Sequence, residues 1–296
     1  MNVLTVGLGS MGYGAAISCL RAGLNASGFD LNPDSVERFK IEGGKAATDW
    51  TAIDNQDAVL IFVVNAQQAE SVLFDSPLLS KLNPGATVIN CVTLAPSIAL
   101  DLAARVADAG FGYVDAPVSG GAAKAREGRM SIMASGAADT MEKIKPVFDA
   151  ISEHVFALGD EPGAGSQMKL INQLLAGVHI AAAAEAMNLA ASYNMDLHQV
   201  IEVISKCAGT SWMFENRAPH IADGDYTPLS SVNIFVKDMG IVTSAADDKG
   251  VQTPLSQAAF DLYKEASEAG FGLEDDSAVV KVLAQKSAVK LPGDGA

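Results

Sequence analysis

The stretch GAGSQMKLINQLLAGVHIAAAAEAMNLAA, Gly163 to Ala191, is small or apolar almost throughout, yet it carries Lys169, Asn172, Gln173, His179 and Glu185. An ammonium group among apolar residues is costly to bury unless it is paired or used. Burial and neighbouring cations can lower a lysine pKa towards neutrality, where the amine both takes and gives a proton. At about 100° per residue, Asn172 and Gln173 fall about 60° to one side and about 40° to the other of Lys169. His179 shares a face with Asn172 to within about 20°. A polar stripe results, on a helix that is otherwise alanine and leucine, and Glu185 falls opposite Lys169. Two readings stand together. Either Lys169 moves a proton while the amides hold a substrate, or it is a first-turn lysine whose stem runs along apolar surface to water. His179 reads first as a hydrogen-bonded core histidine. A bilayer span needs about 20 uninterrupted apolar residues. Lys169 and Glu185 bracket only fifteen, broken by His179. The expectation is a buried helix between two domains, its polar stripe facing the cleft.

A second chemistry is written near the N-terminus. Gly7-Leu8-Gly9-Ser10-Met11-Gly12 is a GxGxxG loop that follows the first strand and opens a helix within a βαβ unit. Glycine lets the backbone approach a pyrophosphate, and the helix start offers free N–H groups and the positive end of its dipole. Asp30 ends the second strand, 18 residues after Gly12. A carboxylate there accepts hydrogen bonds from the adenosine ribose and repels a 2′-phosphate. Leu31 stands where an NADP reader would place arginine, so NAD is the expected cofactor. Asn32 can cap the following helix, which leaves Asp30 free for the ribose.

In folds of this kind ligands sit beyond the carboxyl ends of the strands. Val64-Asn65-Ala66, Cys91-Val92-Thr93 and Ser119-Gly120-Gly121 lie there. The last offers a hydroxyl and two unhindered backbone N–H groups, a pocket for a carboxylate. A serine N-cap with a Gly-Gly turn explains the same letters.

The elements that position these residues alternate at first. Strands are predicted at Asn2–Val6, Ala26–Asp30, Ala58–Val64, Ala86–Cys91, Tyr113–Val118, Arg129–Ala134 and Val155–Leu158. Helices are predicted at Met11–Ala22, Pro33–Glu42, Pro96–Ala109 and Thr140–Ile151. After Gly165 the strands stop, and helices are predicted at roughly 165–193, 197–207, 233–248, 254–269 and 276–287. Such a pattern is α/β: a doubly wound, mostly parallel Rossmann sheet over residues 1–163, then an all-α domain over 164–296, joined by a long helix. The tail KLPGDGA is expected to be mobile.

The 296 residues suit two domains. Charged residues make up 19 % and the net charge is −15. That balance, without a basic cluster, excludes nucleic acid as a partner but leaves room for a small anion held by local cations and amides. Cys19, Cys91 and Cys207 are too scattered for a disulfide framework or a metal site, so no metal is expected. MNVLTVG lacks a basic n-region, and the expected location is cytoplasmic, with no membrane partner.

Taken in order, GLGSMG at Gly7, DAPVSGG at Asp115 to Gly121, GxxxKxxN at Gly165 to Asn172 and Lys237-Asp238 resemble the β-hydroxyacid dehydrogenase family over nearly the whole chain. The resemblance implies a Rossmann domain and an all-α domain, NAD as cofactor, a small hydroxy-acid substrate and a homodimer or homotetramer. It implies that Lys169 is the catalytic lysine, that Ser119, Gly120 and Gly121 bind the substrate carboxylate, and that Asn172 binds substrate. Thr93 and Lys237 match cofactor contacts. Many members have Ser-Thr where this chain has Val92-Thr93, and Asn-Asn where it has Asn172-Gln173. The longer amide suggests a changed pocket, with Gln173 and His179 contacting distal hydroxyls of a four-carbon acid. KLINQLLAGVHIAAAAEAM and NIFVKDMG look most like the L-threonate dehydrogenase branch. 3-Hydroxyisobutyrate and tartronate semialdehyde are the alternative substrates. Lys169 argues against the related imine reductases, and a non-catalytic NAD-binding scaffold is the rival outside enzymes.

Overall fold

The computed structural model describes residues 1–293. They form two compact units, Met1–Lys169 and the chain from Leu170 onward. In the first unit β1 (Asn2–Val6) leads into α1 (Ser10–Arg21), and β2 (Asn25–Phe29) into α2 (Pro33–Ile41). There follow β3 (Lys45–Ala47), β4 (Gln56–Ile61), α3 (Ala66–Glu70), β5 (Leu82–Asn90), α4 (Pro96–Asp108) and β6 (Gly112–Asp115). The unit closes with β7 (Val118–Ser119), α5 (Gly121–Glu127), β8 (Met130–Ala134), α6 (Ala138–Lys143), α7 (Lys145–Ile151) and β9 (Ser152–Ala157).

Six strands make one parallel sheet in the order β3-β2-β1-β4-β5-β6. That is the doubly wound order, reversing between β1 and β4. Central strands covered on both faces must be apolar on both. Val3, Leu4, Val59, Leu60 and Ile61 are accordingly all fully buried. Because the strands are parallel, their carboxyl ends lie along one edge. Gly7, Phe62, Cys91 and Ala116 each follow a strand there.

Two predicted elements are divided in the structure. The run Tyr113–Val118 breaks at Ala116-Pro117, since Pro117 has no N–H for the ladder. Beyond it β7 pairs antiparallel with β8, and β8 parallel with β9, in a separate three-stranded sheet. The Thr140–Ile151 helix splits into α6 and α7 because Pro146 has no N–H for the carbonyl of Glu142.

The helix α8 (Ala164–Ser192) continues past the division between the units. The second unit adds α9 (Leu197–Ile204), α10 (Trp212–Asp223), α11 (Val232–Asp248), α12 (Pro254–Ala266) and α13 (Val279–Ser287). By length and hydropathy alone α8 would suffice to cross a membrane. Its side chains at Ile180, Ala184 and Met187 instead join a buried cluster with Phe235, Met239 and Tyr263. α10 was not foreseen, because Pro219 lies inside it and its apolar residues form no clean stripe. Its Ser211 cap, which accepts from Phe214 N–H at 3.0 Å, was the available signal. The expected mobile tail is corrected as far as Leu291, which is 5 % exposed in the helical core; positions 294–296 lie outside the described residues.

Candidate active site

At the end of β1, Gly7 takes φ +91°, and a Cβ there would lie 2.4 Å from the Phe62 carbonyl oxygen. A Cβ on Gly12 would lie 1.9 Å from the Gly7 carbonyl. Neither position admits a side chain, so the loop folds tightly onto the first turn of α1. Gly9, at the N-cap, has no side chain to satisfy the first helical amides, and Gly9 and Ser10 are exposed. These amides, with the helix dipole behind them, form an anion cradle. Asp30 closes its side. One carboxylate oxygen accepts the Leu8 N–H at 2.6 Å and the other the Asn32 N–H at 2.8 Å. Asn32 caps α2, its oxygen 3.0 Å from Asp34 N. The cradle fits a dinucleotide pyrophosphate, and Asp30 is tied to the same loop that would carry it.

Further along that edge, Val64 is half exposed, and Asn65 caps α3 by accepting from Gln68 N–H at 2.9 Å. Thr93 is half-buried just past β5. Ser119 and Gly120 are half-buried and Gly121 exposed; both glycines have positive φ, +132° and +71°.

Lys169 is buried, 7 % exposed, and its Nζ donates to the Val118 carbonyl at 2.9 Å. The amine therefore lies against the peptide that leads directly into Ser119, Gly120 and Gly121. What fixes it there is the start of α8. Asp115, fully buried at the end of β6, accepts from Gly163 N–H at 3.0 Å, Ser166 N–H at 2.8 Å and the Ser166 hydroxyl at 2.8 Å. Burial pushes the Asp115 carboxyl up from its ordinary range, and the bonds from Ser166 and Gly163 draw it back. Gly165 N–H donates to the Ser135 hydroxyl at 2.9 Å, and a Cβ on Gly165 would come within 2.3 Å of the Met133 carbonyl. Lys169 sits three residues beyond Ser166, so its stem leaves a helix turn that is bolted to β6 and β8.

In the second unit the polar residues of α8 and α11 form one chain of bonds. Asn172 Nδ2 donates to Gln173 Oε1 at 2.9 Å. Gln173 Nε2 donates to Asp238 Oδ2 at 2.5 Å, and Lys237 Nζ to Asp238 Oδ1 at 2.5 Å. Gln173 and Asp238 are buried, 7 % and 2 % exposed, and Asn172 is half-buried. The helices can meet this closely because Gly177, one turn beyond Gln173, has no side chain. A Cβ there would lie 2.3 Å from Met239 Sδ. The Gly177 carbonyl accepts from the Tyr263 hydroxyl at 3.0 Å.

Each group of residues singled out in the sequence thus has a definite place. The glycine loop meets Asp30, Lys169 meets the strand that leads into Ser119, and Asn172 and Gln173 connect through Asp238 to Lys237. Gln173 has both ends of its amide engaged by protein. His179 is half-buried two turns beyond Asn172. Two residues were missed. In the sequence Asp115 and Asp238 stand only as members of DAPVSGG and of Lys237-Asp238. An aspartate ending an apolar strand was the available signal for Asp115.

The chain resembles known proteins in sequence and in fold. Residues 2–159 match the sequence model of the NAD binding domain of 6-phosphogluconate dehydrogenase. Residues 163–283 match the model described as NAD-binding of NADP-dependent 3-hydroxyisobutyrate dehydrogenase. An L-threonate dehydrogenase of Pectobacterium atrosepticum is 49 % identical over 95 % of this chain and 93 % of its own. One of Haemophilus influenzae is 47 % identical over 100 % and 98 %. A crystal structure from Salmonella typhimurium, described as 3-hydroxyisobutyrate dehydrogenase, is 48 % identical and superposes with a TM-score of 0.91, over 95 % of this chain and 99 % of that one.

Proposed function

This chain belongs to the β-hydroxyacid dehydrogenase family and is an NAD-dependent hydroxyacid dehydrogenase, and we propose that its substrate is L-threonate or a similar four-carbon sugar acid. The observation that carries the mechanism is Lys169, buried and 2.9 Å from the Val118 carbonyl beside Ser119-Gly120-Gly121.

The residues that would hold NAD are the Gly7–Gly12 loop, the first amides of α1 and Asp30. Val64, Asn65, Thr93 and Lys237 are proposed as further contacts. When bound, the dinucleotide supplies a hydride acceptor. Ser119 and the amides of Gly120 and Gly121 hold the substrate carboxylate, where N–H and O–H donors complement a planar anion. Lys169, in its neutral form, takes the proton from the hydroxyl whose carbon becomes a ketone, and in reduction it returns that proton. A site that binds a polyhydroxy acid needs polar groups beyond the reacting carbon. Asn172 and His179, half-buried on α8, are proposed for that task.

The names of the two bacterial relatives support L-threonate, and the name carried by the Salmonella structure supports 3-hydroxyisobutyrate as the second reading. NADH formation across three- and four-carbon hydroxy acids separates them. L-threonate is expected to give the highest kcat/KM. Absence of turnover with every polyhydroxy acid, alongside turnover of 3-hydroxyisobutyrate, overturns the first reading.

A further inference from the structure

We propose that Gln173 is a positioning residue that sets which way the Asn172 amide faces, with Asp238 as the anchor. This rests on the reading that Asn172 contacts substrate, and it concerns how that contact is oriented.

Both Asp238 carboxylate oxygens accept, one from Gln173 Nε2 and the other from Lys237 Nζ. Asp238 therefore forces Gln173 to present Nε2 to it, which leaves Gln173 Oε1 as an acceptor. Asn172 must then present Nδ2 to that oxygen. The observed order is this one throughout, at 2.5 Å and 2.9 Å. The sense of each amide is dictated in turn, from Asp238 outwards, and Lys237 completes the chain at the other carboxylate oxygen. Asn172 keeps its Oδ1 and one N–H for a ligand, a donor and an acceptor of known order, which suits a hydroxyl-bearing carbon chain. A free asparagine would rotate between two senses, and half of its orientations would place like groups against the ligand. Glutamine is long enough to reach both partners. Asparagine at position 173 would be shorter by one methylene and would not span them.

The polarity of the chain distinguishes this from packing. Gln173→Glu keeps the shape but sets two carboxylates together, unless a proton lies between them. A carboxylate at 173 still accepts from Asn172, but repulsion from Asp238 displaces it and carries the Asn172 amide with it; we expect kcat/KM for the hydroxy acid to fall about tenfold, the size of one charge-assisted bond lost. The fall should be smaller at low pH, where a shared proton relieves the repulsion, and the NAD dissociation constant should stay within twofold. Asp238→Asn alone reverses the order, because Lys237 draws the new amide's oxygen and leaves its NH2 to face Gln173, whose Oε1 must then turn away from Asn172; it should lower kcat/KM. In the double variant Gln173→Glu with Asp238→Asn, the new amide donates to the new carboxylate, whose other oxygen accepts from Asn172. It should recover most of the loss.

Additive losses in the double variant overturn the proposal. So does parent-like kcat/KM in Gln173→Glu when Asn172→Ala lowers it. If Asn172→Ala itself leaves kcat/KM unchanged, the reading of Asn172 fails first and this inference with it. Should Gln173→Glu not fold, Gln173→Asn supplies the same test: at least a threefold loss supports the bridging role, and parent-like kinetics overturn it.

Discussion

The two units hold their polar functional groups by opposite means. In the first, Lys169 is fixed by the main chain: its ammonium meets a backbone carbonyl, and the helix turn beneath it is tied by peptide N–H groups to the one carboxylate of Asp115. In the second, Asn172 is fixed by side chains, through Gln173 and Asp238 to Lys237. The same contrast appears in the buried charges. Asp115 is compensated by amides and a hydroxyl. Asp276, also fully buried, is compensated by the Arg217 guanidinium, with Nε 2.5 Å and Nη2 3.1 Å from its two oxygens. Main-chain partners cannot be removed by a single substitution, whereas side-chain partners can. The first arrangement suits the proton transfer proposed for Lys169, which needs a fixed place. The second suits the substrate contact proposed for Asn172, which can be retuned through its partners.

The comparison can be broken at four points. The largest effect is expected from Lys169→Ala, which should lower kcat about 10³-fold while NAD affinity, read by fluorescence titration, is retained. A loss of less than tenfold would remove the proton role from Lys169.

Next is the pH response of the second unit. Burial, opposed by Arg217, pushes the Asp276 carboxyl from 3.8 up to about 6. The folded protein thus holds this proton more tightly than the unfolded chain. The associated stability is complete below about pH 4 and is lost as pH rises through about 6, a change on the order of 3 kcal/mol. Urea unfolding of the parent and of Asp276→Asn between pH 4 and 8 should show the parent losing ground to the variant across that interval. A difference independent of pH would refute the assignment.

Asp115→Asn should cost about 2 kcal/mol in stability, because one bond to the start of α8 loses its acceptor. Since Lys169 leans on that turn, kcat should fall by roughly tenfold with KM little changed. Unchanged kcat would show that Lys169 is placed without Asp115. The smallest effect is expected from Gly177→Ala, whose methyl would press on Met239 and cost about 1 kcal/mol by thermal melting. Its mark should be on KM for the acid, since the overcrowding separates Gln173 from Asp238, and a change confined to kcat would contradict the relay.

What was legible before folding follows sequence distance. GLGSMG and Asp30 could be read because strand, loop and helix start are contiguous and their geometry is local. The division of the Tyr113–Val118 run and of the Thr140–Ile151 helix is also written locally, in Pro117 and Pro146, against the apolar continuity of each run. Asp115 was not assigned a role because its partners lie 48 and 51 residues away. Gln173 was expected at a substrate hydroxyl, and its bond to Asp238 crosses 65 residues. α10 was missed because a proline in a helix interior argues against the helix, and only packing of Phe214, Ala218 and Ile221 into the helical core outweighs it.

Residue order by itself determined the alternating sheet, the helical second unit, the tight glycine loop and the presence of one lysine on an apolar helix, because periodicity, glycine and proline act over a few residues. Only the tertiary structure decided that this lysine is buried against Val118, that Asp115 anchors its helix, and that Asp238 orders two amides. Those outcomes depend on desolvation and on bonds between distant segments. A charge acquires its cost and its partners only when the chain has closed around it.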